Sequence, residues 1–166
     1  YLHGKGILHR DIKPSNILVD LATRQLTLLD FGVSRALGSR EERLLVGTFA
    51  FMPPEAIAGG PVDARSDLYS LGITLYRQLT GRVPFDGESS QEIIMKHLTA
   101  DPDLSPVPEA FRSVIRRSLL KDPAQRISSV GEMLEEVQIA GGLAKPRVAV
   151  AASKPPVIAK TKSTEH

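Results

Sequence analysis

The feature that most constrains this chain is a pair of short apolar runs, Ile17-Leu18-Val19 and Leu26-Thr27-Leu28-Leu29, split by the turn-prone stretch Asp20–Arg24. Short apolar segments bounded by turn residues read as the two strands of a hairpin. Everything after Ser66 reads as helix instead. Leu68, Leu71, Leu75 and Leu79 recur at helical spacing on one face. Ser89 with Glu92 forms a capping box ahead of Ile93, Ile94, His97 and Leu98, and Ser129 with Glu132 forms another ahead of Met133, Leu134 and Val137. Pro108 suits a first helical position before Phe111, Val114, Ile115 and Leu119. The expected architecture is α+β: a small hairpin, a long loop, then several helices.

A hairpin returns the chain to its starting end, so the segments on either side of it are brought together. Before it lies His9-Arg10-Asp11-Ile12-Lys13-Pro14-Ser15-Asn16; after it lies Asp30-Phe31-Gly32. Asp11, Asn16 and Asp30 can therefore converge. Phosphoryl transfer from a nucleotide makes a few fixed demands on a site. It needs a carboxylate to orient a hydroxyl and take its proton, and oxygen ligands for Mg²⁺. It also needs a cation near the transferring group, where charge spreads over three oxygens. Asp11, Asn16, Asp30 and Lys13 are residues of those types.

Taken together these residues resemble the signature of the protein kinases: His9-Arg10-Asp11 with Asn16 is similar to their catalytic loop, and Asp30-Phe31-Gly32 to their metal-binding motif. The resemblance implies Asp11 as catalytic base, Asn16 and Asp30 as ligands of Mg²⁺, and Lys13 at the ATP phosphates. A lysine at that place is the choice of kinases acting on Ser or Thr. His9 would be a scaffold residue, and Phe31 would set the position of Asp30. Gly47-Thr48-Phe49-Ala50-Phe51-Met52-Pro53-Pro54-Glu55 resembles the end of an activation segment, which would place Thr48 beside Asp11 and Lys13. Ser66-Asp67-Leu68-Tyr69-Ser70-Leu71-Gly72 resembles the start of the central helix of the large lobe, where Asp67 would hydrogen-bond the catalytic-loop backbone. Asp122-Pro123 followed by Arg126 resembles the site whose arginine pairs with the activation-segment glutamate, here Glu55. The wording most resembles bacterial members of the family. Two positions depart from the pattern: Pro53 stands where Ala is usual before Pro-Glu, and Phe51 where Tyr is usual.

The resemblance implies a kinase large (C-terminal) lobe over residues 1–140, transferring the γ-phosphoryl of ATP to Ser/Thr hydroxyls of protein substrates. The chain reads as a fragment, starting at Tyr1 inside a motif-rich segment with no initiator Met or signal-peptide pattern. Gly4-Lys5-Gly6 lies too close to the catalytic loop to be a phosphate lid, and no strand lysine or partner helix glutamate is present. The isolated chain is therefore expected to be inactive and poorly stable, with apolar surface exposed on the helix beginning near Leu68. Arg10 is expected to be neutralised by a phosphate on Ser39 or by Glu41 and Glu42. Two other readings stay open: a catalytically dead kinase-like module that binds partners, and a truncated product without activity.

The absence of cysteine excludes disulfides, thiolate catalysis and thiolate metal sites, and fits a cytoplasmic compartment. The net charge of +2 is unevenly held. Residues 141–166 carry Lys145, Arg147, Lys154, Lys160 and Lys162 against Glu165, which leaves the body mildly acidic and argues against nucleic acid as a partner. This Gly/Ala/Lys/Pro/Val tail reads as a flexible linker. A second reading makes it a juxtamembrane stretch of a membrane-anchored parent. His3, His97 and His166 show no metal-ligand spacing and read as surface or packing residues.

Overall fold

The computed structural model describes residues 1–29 and 49–143. Two strands, β1 (Ile17–Asp20) and β2 (Gln25–Leu28), are followed by five helices: α1 (Pro54–Ile57), α2 (Ala64–Thr80), α3 (Ser90–Thr99), α4 (Arg112–Ser118) and α5 (Val130–Ala140). Short 3-10 turns occupy His3–Lys5, Pro14–Asn16, Glu109–Phe111 and Pro123–Gln125.

The hairpin forms where the sequence places it. β1 and β2 pair antiparallel, with Ile17 opposite Leu28 and Asp20 opposite Gln25. The Asp20 carboxylate closes the turn by accepting the N–H groups of Ala22 and Thr23 at 2.8 and 3.2 Å. At the open end the Leu29 N–H donates to the Asn16 carbonyl at 2.8 Å, which fixes the two flanking segments side by side. Both faces of the ribbon carry exposed apolar side chains: Leu18, Val19, Leu21 and Leu26.

α2 is the central element, and it begins a turn earlier than the sequence suggests. Asp63 caps it by accepting the Arg65 N–H at 2.8 Å, while the Ser66 hydroxyl accepts the Asp63 N–H at 3.2 Å. This is a reciprocal capping box closed by serine rather than by Glu or Gln. The buried stripe also differs from the leucine pattern. Tyr69, Ile73 and Tyr76 are fully buried, with Leu68 beside them, whereas Leu71, Leu75 and Leu79 are only half-buried. The tyrosines can go inside because their hydroxyls find partners there. Tyr69 Oη hydrogen-bonds His97 Nδ1 at 2.9 Å, and Tyr76 Oη donates to the Asp103 carbonyl at 2.9 Å. The apolar surface expected on this helix is thus largely covered, and the exposed apolar residues sit on the hairpin instead.

Phe51, Phe85, Val107, Ile115 and Leu119 pack with the α2 stripe into one core, and Leu68, Val114, Ile127 and Met133 form a second that seats α5. Burying a side chain such as Ile73 or Leu119 contributes about 1.5–3 kcal/mol. α2 and α4 cross at Gly72, where a Cβ would lie 2.6 Å from Ser118 Cβ. α2 ends at Gly81, whose φ of 77° is the left-handed conformation that glycine adopts without strain.

The two sequence-predicted capping boxes hold on the serine side: Ser89 and Ser129 each accept the N–H of the glutamate three residues on, at 3.2 Å. Each glutamate reaches one residue further back than a box requires, Glu92 to the Glu88 N–H and Glu132 to the Ser128 N–H. Pro108 precedes the 3-10 turn rather than opening α4. On α5 only Met133 is fully buried; Leu134 is exposed, and Arg117 of α4 pairs with Glu132 and Glu136. Among the described residues no helix is long and apolar enough to cross a membrane.

Candidate active site

The site is built on the loop that leads into β1. His9 is buried, and its ring ties that loop to the hairpin: Nδ1 accepts the Asp11 N–H at 3.3 Å and Nε2 donates to the Leu29 carbonyl at 3.1 Å. Because Nδ1 is an acceptor, the ring proton sits on Nε2. Arg10 then takes a φ of 65°, a left-handed conformation rarely adopted by a residue with a side chain. Such strain persists only where the surroundings over-determine it. Here the determinant is Asp67, in the first turn of α2 and 2% exposed. Its Oδ2 accepts the His9 N–H at 2.9 Å and its Oδ1 the Arg10 N–H at 2.8 Å. The expected bond from Asp67 to this backbone is therefore present, twice over.

With the loop fixed, three of the expected site residues meet. Lys13 Nζ lies 2.9 Å from Asp11 Oδ2. Asn16, 7% exposed, donates its amide N–H groups to Asp11 Oδ2 and to the Asp11 carbonyl, both at 2.8 Å. Both partners are acceptors only, so the Asn16 NH₂ must face Asp11 and its Oδ1 must face away. Asp11 Oδ1 has no hydrogen-bond partner among the described residues. The result is a partly exposed carboxylate with one oxygen held by a cation and an amide. Asp30, Phe31, Ser39, Glu41, Glu42 and Thr48 lie outside the described residues.

A second cluster secures the segment that ends in α1. Arg126, with no side-chain exposure, grips Glu55 through two parallel bonds: Nη1 to Oε1 and Nη2 to Oε2, each 2.7 Å. Its other donors reach the carbonyls of Leu120 at 2.6 Å, Lys121 at 2.9 Å and Arg65 at 3.3 Å, and its plane lies 4.8 Å over the Tyr69 ring. Burial pushes the Glu55 carboxyl up, but hydrogen bonds from Arg126 and Ser66 outweigh it and hold the group below the ordinary glutamate value. The Ser66 hydroxyl donates to Glu55 Oε1 at 2.7 Å, and the Ser70 hydroxyl to the Phe51 carbonyl at 2.7 Å. α2 thus holds the loop before β1 with Asp67, Glu55 of α1 with Ser66, and the Phe51 carbonyl ahead of α1 with Ser70.

Two of the histidines read as surface or packing residues are packed into the fold. His97 is a core residue, its ring edge against Phe85 with centroids 4.9 Å apart; burial, with Lys121 nearby, pushes its imidazole down to about 4 against a weaker opposing effect of the Ala50 backbone. His3 is partly buried, and its Nε2 lies 2.8 Å from Asp67 Oδ2. Only proximity in the fold could have revealed this contact, since the partners are 64 residues apart.

This geometry defines a class, and the chain belongs to the protein kinase domain family, whose model matches residues 1–138. Among characterised proteins it is similar to the serine/threonine-protein kinase PrkC of Bacillus subtilis, with 36% identity over 148 residues, covering 84% of this chain and 23% of that protein. It is equally similar to the serine/threonine-protein kinase PknB of Mycobacterium tuberculosis, 36% over 147 residues, covering 80% of this chain and 23% of that protein. The relative of the same name in Mycobacterium leprae is 36% identical over 146 residues, with 80% and 23% covered. The chain spans about a quarter of the length of these relatives.

Proposed function

We propose that this chain is the catalytic large lobe of a serine/threonine protein kinase, which transfers the γ-phosphoryl group of ATP to Ser or Thr hydroxyls of protein substrates. The observation that carries the reading is the Asp11–Lys13–Asn16 arrangement. Asp11 Oδ2 is taken by Lys13 and Asn16, leaving Oδ1 to orient a substrate hydroxyl and accept its proton. The Lys13 ammonium, 2.9 Å from that carboxylate, would offset the negative charge that builds on the transferring group.

The donor set suits Mg²⁺, a hard cation that prefers carboxylate and amide oxygens. Asn16 Oδ1, turned away from Asp11, and Asp30 would hold it, and it would supply charge neutralisation at the phosphates. Among the described residues no three carboxylate or imidazole groups come together as a metal site. The remaining ligands would come from Asp30 and the nucleotide itself. Support for Ser/Thr over Tyr comes from Lys13 and from the relatives, which are serine/threonine-protein kinases.

The test is phosphoryl transfer from γ-labelled ATP with Mg²⁺ by the protein that contains this chain, with phosphoamino-acid analysis of the product. Label on Ser or Thr, lowered about 10²–10⁴-fold by Asp11→Asn, is expected. Equal activity in Asp11→Asn, or transfer to Tyr alone, would overturn the assignment.

A further inference from the structure

Lys121 follows α4, and its partly buried side chain is seated on aromatic rings of the core. Its Nζ stands 4.1 Å from the centre of the Phe85 ring and 6.0 Å from that of Tyr69. The acceptor it reaches is the Lys96 carbonyl in the last turn of α3, at 3.4 Å, which is long for a hydrogen bond. The lysines around it are placed differently. Lys13 lies 2.9 Å from Asp11, and Lys96 lies 2.6 Å from Glu92. Among the described residues no carboxylate comes within ion-pair distance of Lys121. Burial pushes its ammonium down to about 8; Asp101 opposes this and Arg126 adds to it. His97 and Tyr69 are the other titratable groups that face it. A lysine desolvated beside another cation is the usual form of an activated amine nucleophile.

The seat also selects the product. The faces of aromatic rings and the carbonyl end of a helix both carry partial negative charge. An anionic adduct, such as a carbamate formed with CO₂, would be repelled by the Phe85 face and the Lys96 carbonyl. A neutral amide would not be repelled, and it keeps one N–H for that carbonyl.

We propose that Lys121 is an acylation site that takes the acyl group of an acyl phosphate or an acyl thioester. The Nζ lone pair attacks the acyl carbonyl carbon. The carbon–oxygen bond to phosphate, or the carbon–sulfur bond, breaks, and the amine proton leaves with the phosphate or the thiol. The amide formed is neutral, so Arg126 and His97 lose a neighbouring cation. No part of the Asp11 site is needed for this reaction.

The test treats the protein that contains this chain with acetyl phosphate and, separately, with acetyl-CoA, and follows each lysine by peptide mass spectrometry. Lys5, which is exposed, is the internal reference. At about pH 7.5 an ordinary lysine is roughly 0.1% amine, and one at about 8 is roughly a quarter amine. Lower basicity takes back part of that gain, so Lys121 should be acetylated about tenfold faster than Lys5. Its rate should level off above about pH 8, and in concentrated urea its advantage should vanish. Reaction with acetyl phosphate alone would identify an acyl phosphate as the donor, and reaction with acetyl-CoA alone a thioester. Lys121 reacting no faster than Lys5 with either donor would overturn the proposal, as would an advantage that persists in urea. A second measurement reads the seat itself. Lys121→Gln, which stands in for the neutral amide, should raise the midpoint of the His97 ring from about 4 in an NMR titration, while Lys121→Arg should leave it there. The same midpoint in both variants would refute the placement of the Lys121 charge.

Discussion

Replacing Glu55 by Gln tests how α1 is held. The substitution keeps the shape and removes the charge. In the wild type all five N–H donors of Arg126 are engaged, two of them by Glu55 and the others by three backbone carbonyls. In Glu55→Gln one side-chain oxygen still accepts, but the new NH₂ faces an Arg126 N–H, and a buried guanidinium with no side-chain exposure is left without a counter-charge. Breaking one side of a buried pair costs about 3–5 kcal/mol. With a urea dependence of about 1–3 kcal/mol/M for a small domain, the unfolding midpoint should fall by about 2 M at unchanged slope. Removing both charges together, as Glu55→Gln with Arg126→Met, should cost less than the sum of the single changes, by about 2 kcal/mol or more. The pair also sets a pH dependence. The folded-state value of Glu55 lies below the ordinary 4.5, so its stabilisation is fully present above about pH 4.5 and is lost as pH falls through the lower folded value. The gap between wild type and Glu55→Gln should be constant at neutral pH and narrow below pH 4.5. A midpoint shift under about 0.5 M would mean that the pair is worth no more than an exposed one, and the account of a desolvated anchor would be wrong.

Three further outcomes follow from the packing and the ionisable groups. Gly72→Ala should destabilise the chain by about 1–3 kcal/mol in thermal or urea unfolding, although alanine is the better helix former, because its Cβ meets Ser118 at 2.6 Å; a neutral or stabilising effect would refute the close crossing of α2 and α4. An NMR titration of the His97 ring should show a midpoint near 4 rather than 6.5. Because the unfolded chain binds that proton first, stability should decline as pH falls from about 6.5 toward 4; a midpoint near 6.5 would contradict its burial against Phe85 and Tyr69. Arg10→Gly should leave stability unchanged or raise it by about 0.5–1 kcal/mol in the same unfolding assay, since glycine adopts the φ of 65° without strain; a loss above about 1 kcal/mol would show that the Arg10 side chain holds the loop.

What the sequence shows directly is what depends on neighbours along the chain. The hairpin is legible because its turn is closed by Asp20 within three residues. The Asp11–Lys13–Asn16 group is legible because it spans six positions and needs only a short turn to close. The Glu55–Arg126 pair and the Asp67 contact are reached through family resemblance, since their partners are 71 and 58 residues apart. Other features escape the pattern. The leucine repeat on α2 marks only part of the buried face, because a count of apolar residues undervalues Tyr69 and Tyr76, whose burial depends on partners supplied by α3 and the loop after it. The true start of α2 is hidden because Asp63 and Ser66 close their box without a glutamate. His3 carries no signal at all until Asp67 is placed beside it.

The clamp made by Asp67 also bears on the order in which the molecule can be assembled. His9 and Arg10 leave the ribosome 58 and 57 residues before the carboxylate that holds them. At about 5–20 residues per second, that delay is roughly 3–12 s. Over that interval the loop is tied to the hairpin by the His9 ring, but its strained backbone at Arg10 lacks the Asp67 carboxylate. It settles only when the first turn of α2 has been synthesised and docked. The residues translated first in this chain are thus completed late: Lys13 and Asn16 hold the Asp11 carboxylate locally, and the central helix then fixes the backbone that leads into it.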